Sequence, residues 1–206
     1  MSCWAIVAIN TRLRRKRRLR GELDPLGRDA LARHMLGRVL AAAHGAQAVG
    51  RVVIVSPSRA GLPEGYDVIE DSGLGLSAAF EVAREAARAA GASEIVLLPA
   101  DLPGLVPADV DALAEAGRRA RVAIAPDRNG TGTNGLYLPA KLDFPCRFGV
   151  RSRARHEAEA RRRGIEPAIV TRDGLAADLD TPADLRSMDA GVPSRPELAT
   201  GTEQGA

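Results

Sequence analysis

The chain has 206 residues, of which 45% are hydrophobic and only 3% aromatic, so it can bury one large, mainly aliphatic core. The net charge of +3 is modest but unevenly spread, and two cysteines, Cys3 and Cys146, exclude a disulfide framework and suit a reducing cytosol. Residues 1–9 lack a charged leader and no apolar run reaches the roughly 18 residues of a membrane span, so a soluble cytoplasmic protein with no membrane partner is expected.

Trp4-Ala5-Ile6-Val7-Ala8-Ile9 is an unbroken apolar run and reads as a first buried strand. Thr11 to Arg20 follows directly, and seven of those ten residues are basic. Two readings stand. The run is a solvated or nucleic-acid-binding arm. Otherwise it is a cationic loop at the carboxyl end of the first strand, placed to hold a triphosphate through Arg forks and a Lys point charge. Pro25 to about Ala43 carries Leu26, Leu31, Met35, Leu36, Val39 and Leu40 at helical spacing, with Asp24 as its cap and His34 on its surface or in packing. Val52–Ser56 is a second buried strand, and Tyr66–Ile69 a short third one. Glu70-Asp71-Ser72-Gly73-Leu74-Gly75-Leu76-Ser77 then links that strand to a helix over about 76–90. Its glycines allow backbone to approach a ligand, and a helix start favours negative charge, although an ordinary strand-to-helix loop looks much the same.

Ile95-Val96-Leu97-Leu98 reads as the central strand, apolar on both faces, and it delivers Asp101 just past its carboxyl end. Ligands of open α/β sheets bind at that edge, and a carboxylate there is the hard oxygen donor that Mg2+ takes when it also holds phosphates. The competing role is a helix cap, for which Pro107 and Asp109 are better placed. A helix over Pro107–Arg119, a strand over 121–126, a glycine-rich loop over 127–135 and a strand over 136–138 follow. A nine-residue loop is long for a hairpin, and loops of that length are often functional. Residues 144–152 form another loop before a basic helix over 153–164 that carries His156, a poor metal ligand without a second His or Cys nearby. A short strand over 167–170 precedes Asp178 and Asp180, which share one face of a predicted strand, and Thr181-Pro182 starts a helix. Alternating strands and helices predict an α/β fold with a mostly parallel central sheet flanked by helices. Residues 1–189 are expected to be one domain and 190–206 a disordered tail of small and polar residues.

Several segments together carry a resemblance. Lys16-Arg17-Arg18-Leu19, Pro99-Ala100-Asp101-Leu102-Pro103, Asp127 to Asn134, Phe148-Gly149 with Ser152, and Asp178-Leu179-Asp180-Thr181-Pro182-Ala183-Asp184-Leu185 occur in the order seen in the CofC/FbiD family. Those are guanylyltransferases of coenzyme F-420 biosynthesis, related to the MobA-like nucleotidyltransferases. The resemblance covers about residues 3–189 and implies a Rossmann-like nucleotidyltransferase fold. It implies transfer of GMP from GTP to phosphoenolpyruvate, 2-phospho-L-lactate or 3-phospho-D-glycerate, with release of pyrophosphate. Asp101 and Asp180 match the Mg2+ carboxylates, with Asp178 as the fallback. Lys16 and Arg18 match the triphosphate loop, Lys16 among the catalytic groups. Gly75 and Ser77 match nucleotide contacts, and Thr133, Gly149 and Ser152 match the acceptor site. No nucleic-acid partner is implied, and a homodimer is left open. The chain departs from the family at Ala8 and Asn10, where Pro and Lys are usual, and at Ser77, where Asn is usual. The runner-up readings are a MobA-like transferase with a molybdenum-cofactor or sugar-phosphate acceptor, and a nucleic-acid-binding protein using residues 12–20.

Overall fold

The structure, a computed structural model, describes residues 2–9 and 23–179. Lys16, Arg18, Asn10, Asp180, the helix expected from Thr181 and the tail over 190–206 therefore lie outside the described residues.

The apolar runs form strands β1 (Cys3–Ala8), β2 (Arg51–Ser56) and β4 (Glu94–Pro99). With β3 (Asp67–Glu70), β5 (Ala123–Pro126), β6 (Thr133–Pro139) and β7 (Ala168–Ile169) they make one seven-stranded sheet in the order β3-β2-β1-β4-β6-β5-β7. The helices are α1 (Pro25–Gly45), α2 (Leu76–Ala89), α3 (Pro107–Ala120), α4 (Ser152–Arg162) and α5 (Asp173–Ala176). Pairing is parallel from β3 through β4 and between β5 and β7, while β6 runs against both its neighbours. The expectation of a mostly parallel α/β sheet holds.

Strand alternation sorts each apolar run into two cores. Ala5, Val7, Val96 and Leu98 face Met35, Leu36, Val39 and Leu40 of α1 and Val110 and Leu113 of α3. Trp4, Ile6, Ile95 and Leu97 face Ala79, Phe80 and Ala83 of α2 and Ala160 of α4. The sheet is thus covered on both faces, which is why its central strands carry no polar alternation.

Local signals set the helix starts. The Asp24 side chain accepts from the Gly27 amide at 2.6 Å, and Pro25 takes the first helical position of α1. At α3, the Asp109 carboxylate accepts from the Val106 amide at 3.2 Å, so this helix is closed without Asp101.

Four local expectations need correction. Leu26 is not core: it is 77% exposed, and the buried residues of α1 begin only at Met35. The strand expected from Arg121 begins at Ala123, since Arg121 closes α3 in a left-handed conformation with φ of 69°. Thr133, Asn134 and Gly135 belong to β6 rather than to a loop, so β5 and β6 form a true hairpin with a register shift at Ala125/Pro126. Asp178 does not lie on a strand. Residues 173–176 are the short helix α5, and 177–179 continue without strand pairing.

Candidate active site

Backbone bonds knit the carboxyl edge of the parallel strands. Ile9 donates to the Val55 carbonyl at 3.0 Å, Ala100 to Ala8 at 3.0 Å, and Asp71 to Ser56 at 3.2 Å. Asp101 leaves this edge directly after β4. Because β6 runs against β4, its first residue, Thr133, lies at the same edge, and so does Asn134. The antiparallel strand therefore carries a sequence-distant polar segment to the place where parallel strands deliver their ends.

The acidic segment reaches Asp101 by a different route. The Leu179 amide donates to the Asp101 carbonyl at 3.2 Å. Asn134 Nδ2 lies 3.4 Å from the Ala176 carbonyl and 3.5 Å from Asp178 Oδ1. Upstream, Arg172 Nε donates to the buried Asp109 carboxylate at 2.8 Å, tying the entrance of α5 to the start of α3. Gly174 allows this close approach: a Cβ there would stand 2.1 Å from Asp109 Oδ2 and 2.6 Å from the Gly104 carbonyl oxygen. The described chain thus ends, at Leu179, on a residue bonded to Asp101, and Asp180 lies outside the described residues.

The donor chemistry fits Mg2+. The residues in question are carboxylates and an amide, hard oxygen donors of the type this ion takes alongside substrate phosphates. Among the described residues alone, no group of three or more His, Cys, Asp or Glu side chains is placed to hold a metal.

A second cluster surrounds Thr133. Its Oγ1 lies 3.0 Å from Nδ1 of His156, and the Arg147 amide donates to Nε2 of the same ring at 2.9 Å. His156 is fully buried on α4, with the Phe148 ring edge-on at 5.0 Å and the Phe144 ring at 6.0 Å. Burial, with the Arg147 charge as the lesser cause, pushes its pKa down to about 4, so it is neutral at physiological pH. Ser152 is 1% exposed and opens α4, with its amide bonded to the Gly149 carbonyl at 3.0 Å. The capping position belongs instead to Arg151, at φ of 55°, which removes the cap reading of Ser152. Gly149 has φ of 112°, and a Cβ built on it meets nothing within 4 Å among the described residues. Its backbone conformation by itself favours glycine there.

The loops on either side are joined. Ser77 Oγ donates to the Phe148 carbonyl at 3.4 Å, and Phe148 packs on Phe80 of α2 with ring centroids 4.6 Å apart. Ser77 therefore couples the β3–α2 loop to the Gly149 loop. Gly75 precedes α2 with φ of 111°. The hairpin loop over 127–132 is held by Asp127, which accepts from the Thr131 amide at 2.8 Å, and by the Arg153 amide, which donates to the Thr131 carbonyl at 3.2 Å.

The structure thus brings Thr133, Gly149 and Ser152 into one cluster and Ser77 against its rim, and draws the 178–179 segment onto Asp101. Sequence reasoning assigns no role to Asn134 and only a discarded metal role to His156. The available signal is that His156 stands one helical turn after Ser152, on the same face of α4. Neither thiol is poised to react: both cysteines are buried, which raises each to about 12.

Sheet order and the polar loops gathered at its carboxyl edge define a nucleotidyltransferase-type α/β fold. The fold recurs in a Desulfovibrio desulfuricans protein described as a nucleotide-diphospho-sugar transferase, with a TM-score of 0.73 at 19% identity over 92% of this chain and 96% of that one. It recurs also in a nucleotidyl transferase from Methanothermobacter, with a TM-score of 0.60 at 21% identity over 92% and 97% of the two chains. The family model described as guanylyl transferase, CofC like, matches residues 3–189, and the chain belongs to that family. The phosphoenolpyruvate guanylyltransferase of Rubrobacter xylanophilus is 42% identical, covering 97% of this chain and 100% of that protein. The 3-phospho-D-glycerate guanylyltransferase of Phenylobacterium zucineum is 39% identical over 87% and 86%. No helix among the described residues is long and apolar enough to cross a membrane.

Proposed function

We propose that this nucleotidyltransferase moves GMP from GTP to a small phosphorylated carboxylic acid and releases pyrophosphate, in coenzyme F-420 biosynthesis. The observation that carries the reading is the near end-to-end similarity to the Rubrobacter phosphoenolpyruvate guanylyltransferase. Phosphoenolpyruvate is the first acceptor to test, followed by 3-phospho-D-glycerate and 2-phospho-L-lactate.

A phosphate oxygen of the acceptor attacks the α-phosphorus of GTP, the bond to the bridging oxygen breaks, and pyrophosphate leaves with its electron pair. The attacking oxygen is ionised at neutral pH and needs no general base. This agrees with a site whose one buried imidazole is hydrogen-bonded at both nitrogens. The work left to the protein is positioning and charge neutralisation. Asp101 and Asp180 are the residues assigned to hold Mg2+, with Asp178 in reserve. Bound there, the ion supplies charge stabilisation on the reacting phosphates. Lys16 and Arg18 are assigned to the triphosphate and Gly75 and Ser77 to the nucleoside side. Ser77 reaches that role through the loop it fastens, because its hydroxyl is engaged by Phe148. Thr133, Gly149 and Ser152 receive the acceptor.

The test is a coupled pyrophosphate-release assay with four nucleotides, three phosphorylated acids and Mg2+. The expected result is turnover with GTP and at least one of the three acids. Pyrophosphate release with CTP or UTP in preference to GTP, or with no acid at all, overturns the reading.

A further inference from the structure

His156 joins all three segments assigned to the acceptor. It contacts Thr133 on β6, it accepts from the Arg147 amide two residues before Gly149, and it stands one turn after Ser152 on α4. The directions of its hydrogen bonds are fixed by elementary chemistry. A backbone amide can only donate, so the nitrogen facing Arg147, Nε2, must present a lone pair. The single proton of a neutral ring is then on Nδ1, which points at Thr133 Oγ1 from 3.0 Å. A hydroxyl has one proton to give and two lone pairs to receive. With one lone pair taken by Nδ1–H, the Thr133 proton cannot turn back to the imidazole. Among the described residues it meets no other acceptor.

We propose that His156 is a positioning residue that, locked as the Nδ1–H tautomer by the Arg147 amide, obliges Thr133 to present its hydroxyl proton to an anionic oxygen of the bound acceptor. The inference rests on the guanylyl-transfer reading and deepens it: it says which atom of Thr133 meets the acceptor, and why. Burial keeps the lock closed. With Phe144 and Phe148 against the ring and Arg147 as the nearby cation, the imidazole stays neutral through the physiological range. A hydroxyl free to rotate would split its time between donor and acceptor roles, whereas this one is pre-set to receive negative charge.

The experiment uses the full chain and two substitutions that separate the two nitrogens. In His156→Gln the longer side chain can place its carbonyl oxygen where Nε2 was, keeping the Arg147 bond while losing the donor to Thr133. In His156→Asn the amide nitrogen falls near the Nδ1 position, keeping the donor and losing the Arg147 bond. The expected result is a several-fold rise in the acceptor KM for His156→Gln with the GTP KM unchanged, because Thr133 keeps its hydroxyl but loses the donor that pre-sets its proton. His156→Asn should keep an acceptor KM within about threefold of wild type at a lower Tm, since the anchor and not the donor is removed. Thr133→Val should abolish the sensitivity, so that adding His156→Gln to it changes the acceptor KM little further. The tautomer itself is read from the imidazole 15N spectrum of the wild-type chain.

An Nε2–H tautomer at neutral pH overturns the proposal whatever the variants do. A normal wild-type rate with an unchanged acceptor KM in His156→Gln, an equal rise in both KM values, or additive effects with Thr133→Val overturns the relay and leaves the transferase reading intact. Absence of turnover by the wild-type chain with every acid overturns both.

Discussion

Lowering the pH should destabilise this protein through one residue. His156 is fully buried, and its pKa falls from the ordinary 6.5 to about 4. The groups facing it are the Thr133 hydroxyl from β6, the Phe144 and Phe148 rings, and the Arg147 backbone amide and side chain. None of these is an acid, and the Arg147 guanidinium has its own partner in Glu159 at 3.7 Å. The unfolded chain therefore takes up a proton near pH 6.5 that the folded chain refuses until about pH 4. The stability this histidine contributes is complete above 6.5 and is lost as pH falls through that window to about 4. At about 1.36 kcal/mol for each factor of ten, the gap is worth about 3 kcal/mol, a large share of the roughly 5–15 kcal/mol by which domains are stable. Carboxylates also lose their native partners in acid, so the measurement must be a difference. Urea unfolding of the wild type and of His156→Gln, which cannot titrate, should be followed at pH 7.5, 6, 5 and 4. The wild type should lose about 3 kcal/mol more than the variant over that range, with a slope near 1.4 kcal/mol per pH unit in its middle. Parallel curves would show that folded His156 takes up its proton as readily as the unfolded chain does, which a buried ring accepting from an amide at Nε2 should not.

Three further outcomes are expected. Asp101→Asn should lose nearly all turnover with little change in Tm, because a neutral amide is a weak Mg2+ ligand; near wild-type rates at low Mg2+ would remove Asp101 from the site. Gly174→Ala should destabilise by about 1–3 kcal/mol and slow turnover, because its Cβ would drive the α5 segment away from Asp109 and the Gly104 carbonyl, dragging Asp178 and Leu179 from Asp101; an unchanged Tm would show that the segment adapts. Gly149→Val should lower Tm through strain of about 1–3 kcal/mol at φ of 112° and should raise the acceptor KM more than that for GTP; equal rises in the two KM values would detach this loop from the acceptor.

Much of the architecture was legible because it is written locally. The apolar runs of β1, β2 and β4 can only be strands buried on both faces, and Asp24-Pro25 and Val106-Pro107-Ala108-Asp109 announce helices whatever surrounds them. The resemblance carried by the polar segments was legible too, since it depends on residue order and not on contacts. Errors arose where distant residues overrode local appearance. Thr133-Asn134-Gly135 looks like loop, yet pairing with Pro126 and Ala125 makes it strand. Asp178 alternates like strand, yet no neighbour pairs with that segment among the described residues.

By itself, then, the chain determined most of its strands and helices, where several helices begin, and which family its polar motifs match, because each of these follows from neighbours along the backbone. Only the tertiary structure decided that β6 enters antiparallel between β4 and β5, that Leu179 bonds to Asp101, and that a histidine dismissed as a metal ligand lies between the Arg147 amide and the Thr133 hydroxyl. Those contacts join segments far apart in the chain. They form only once the sheet has closed its register and buried groups have little water left to satisfy them, so that most buried donors and acceptors pair within the protein.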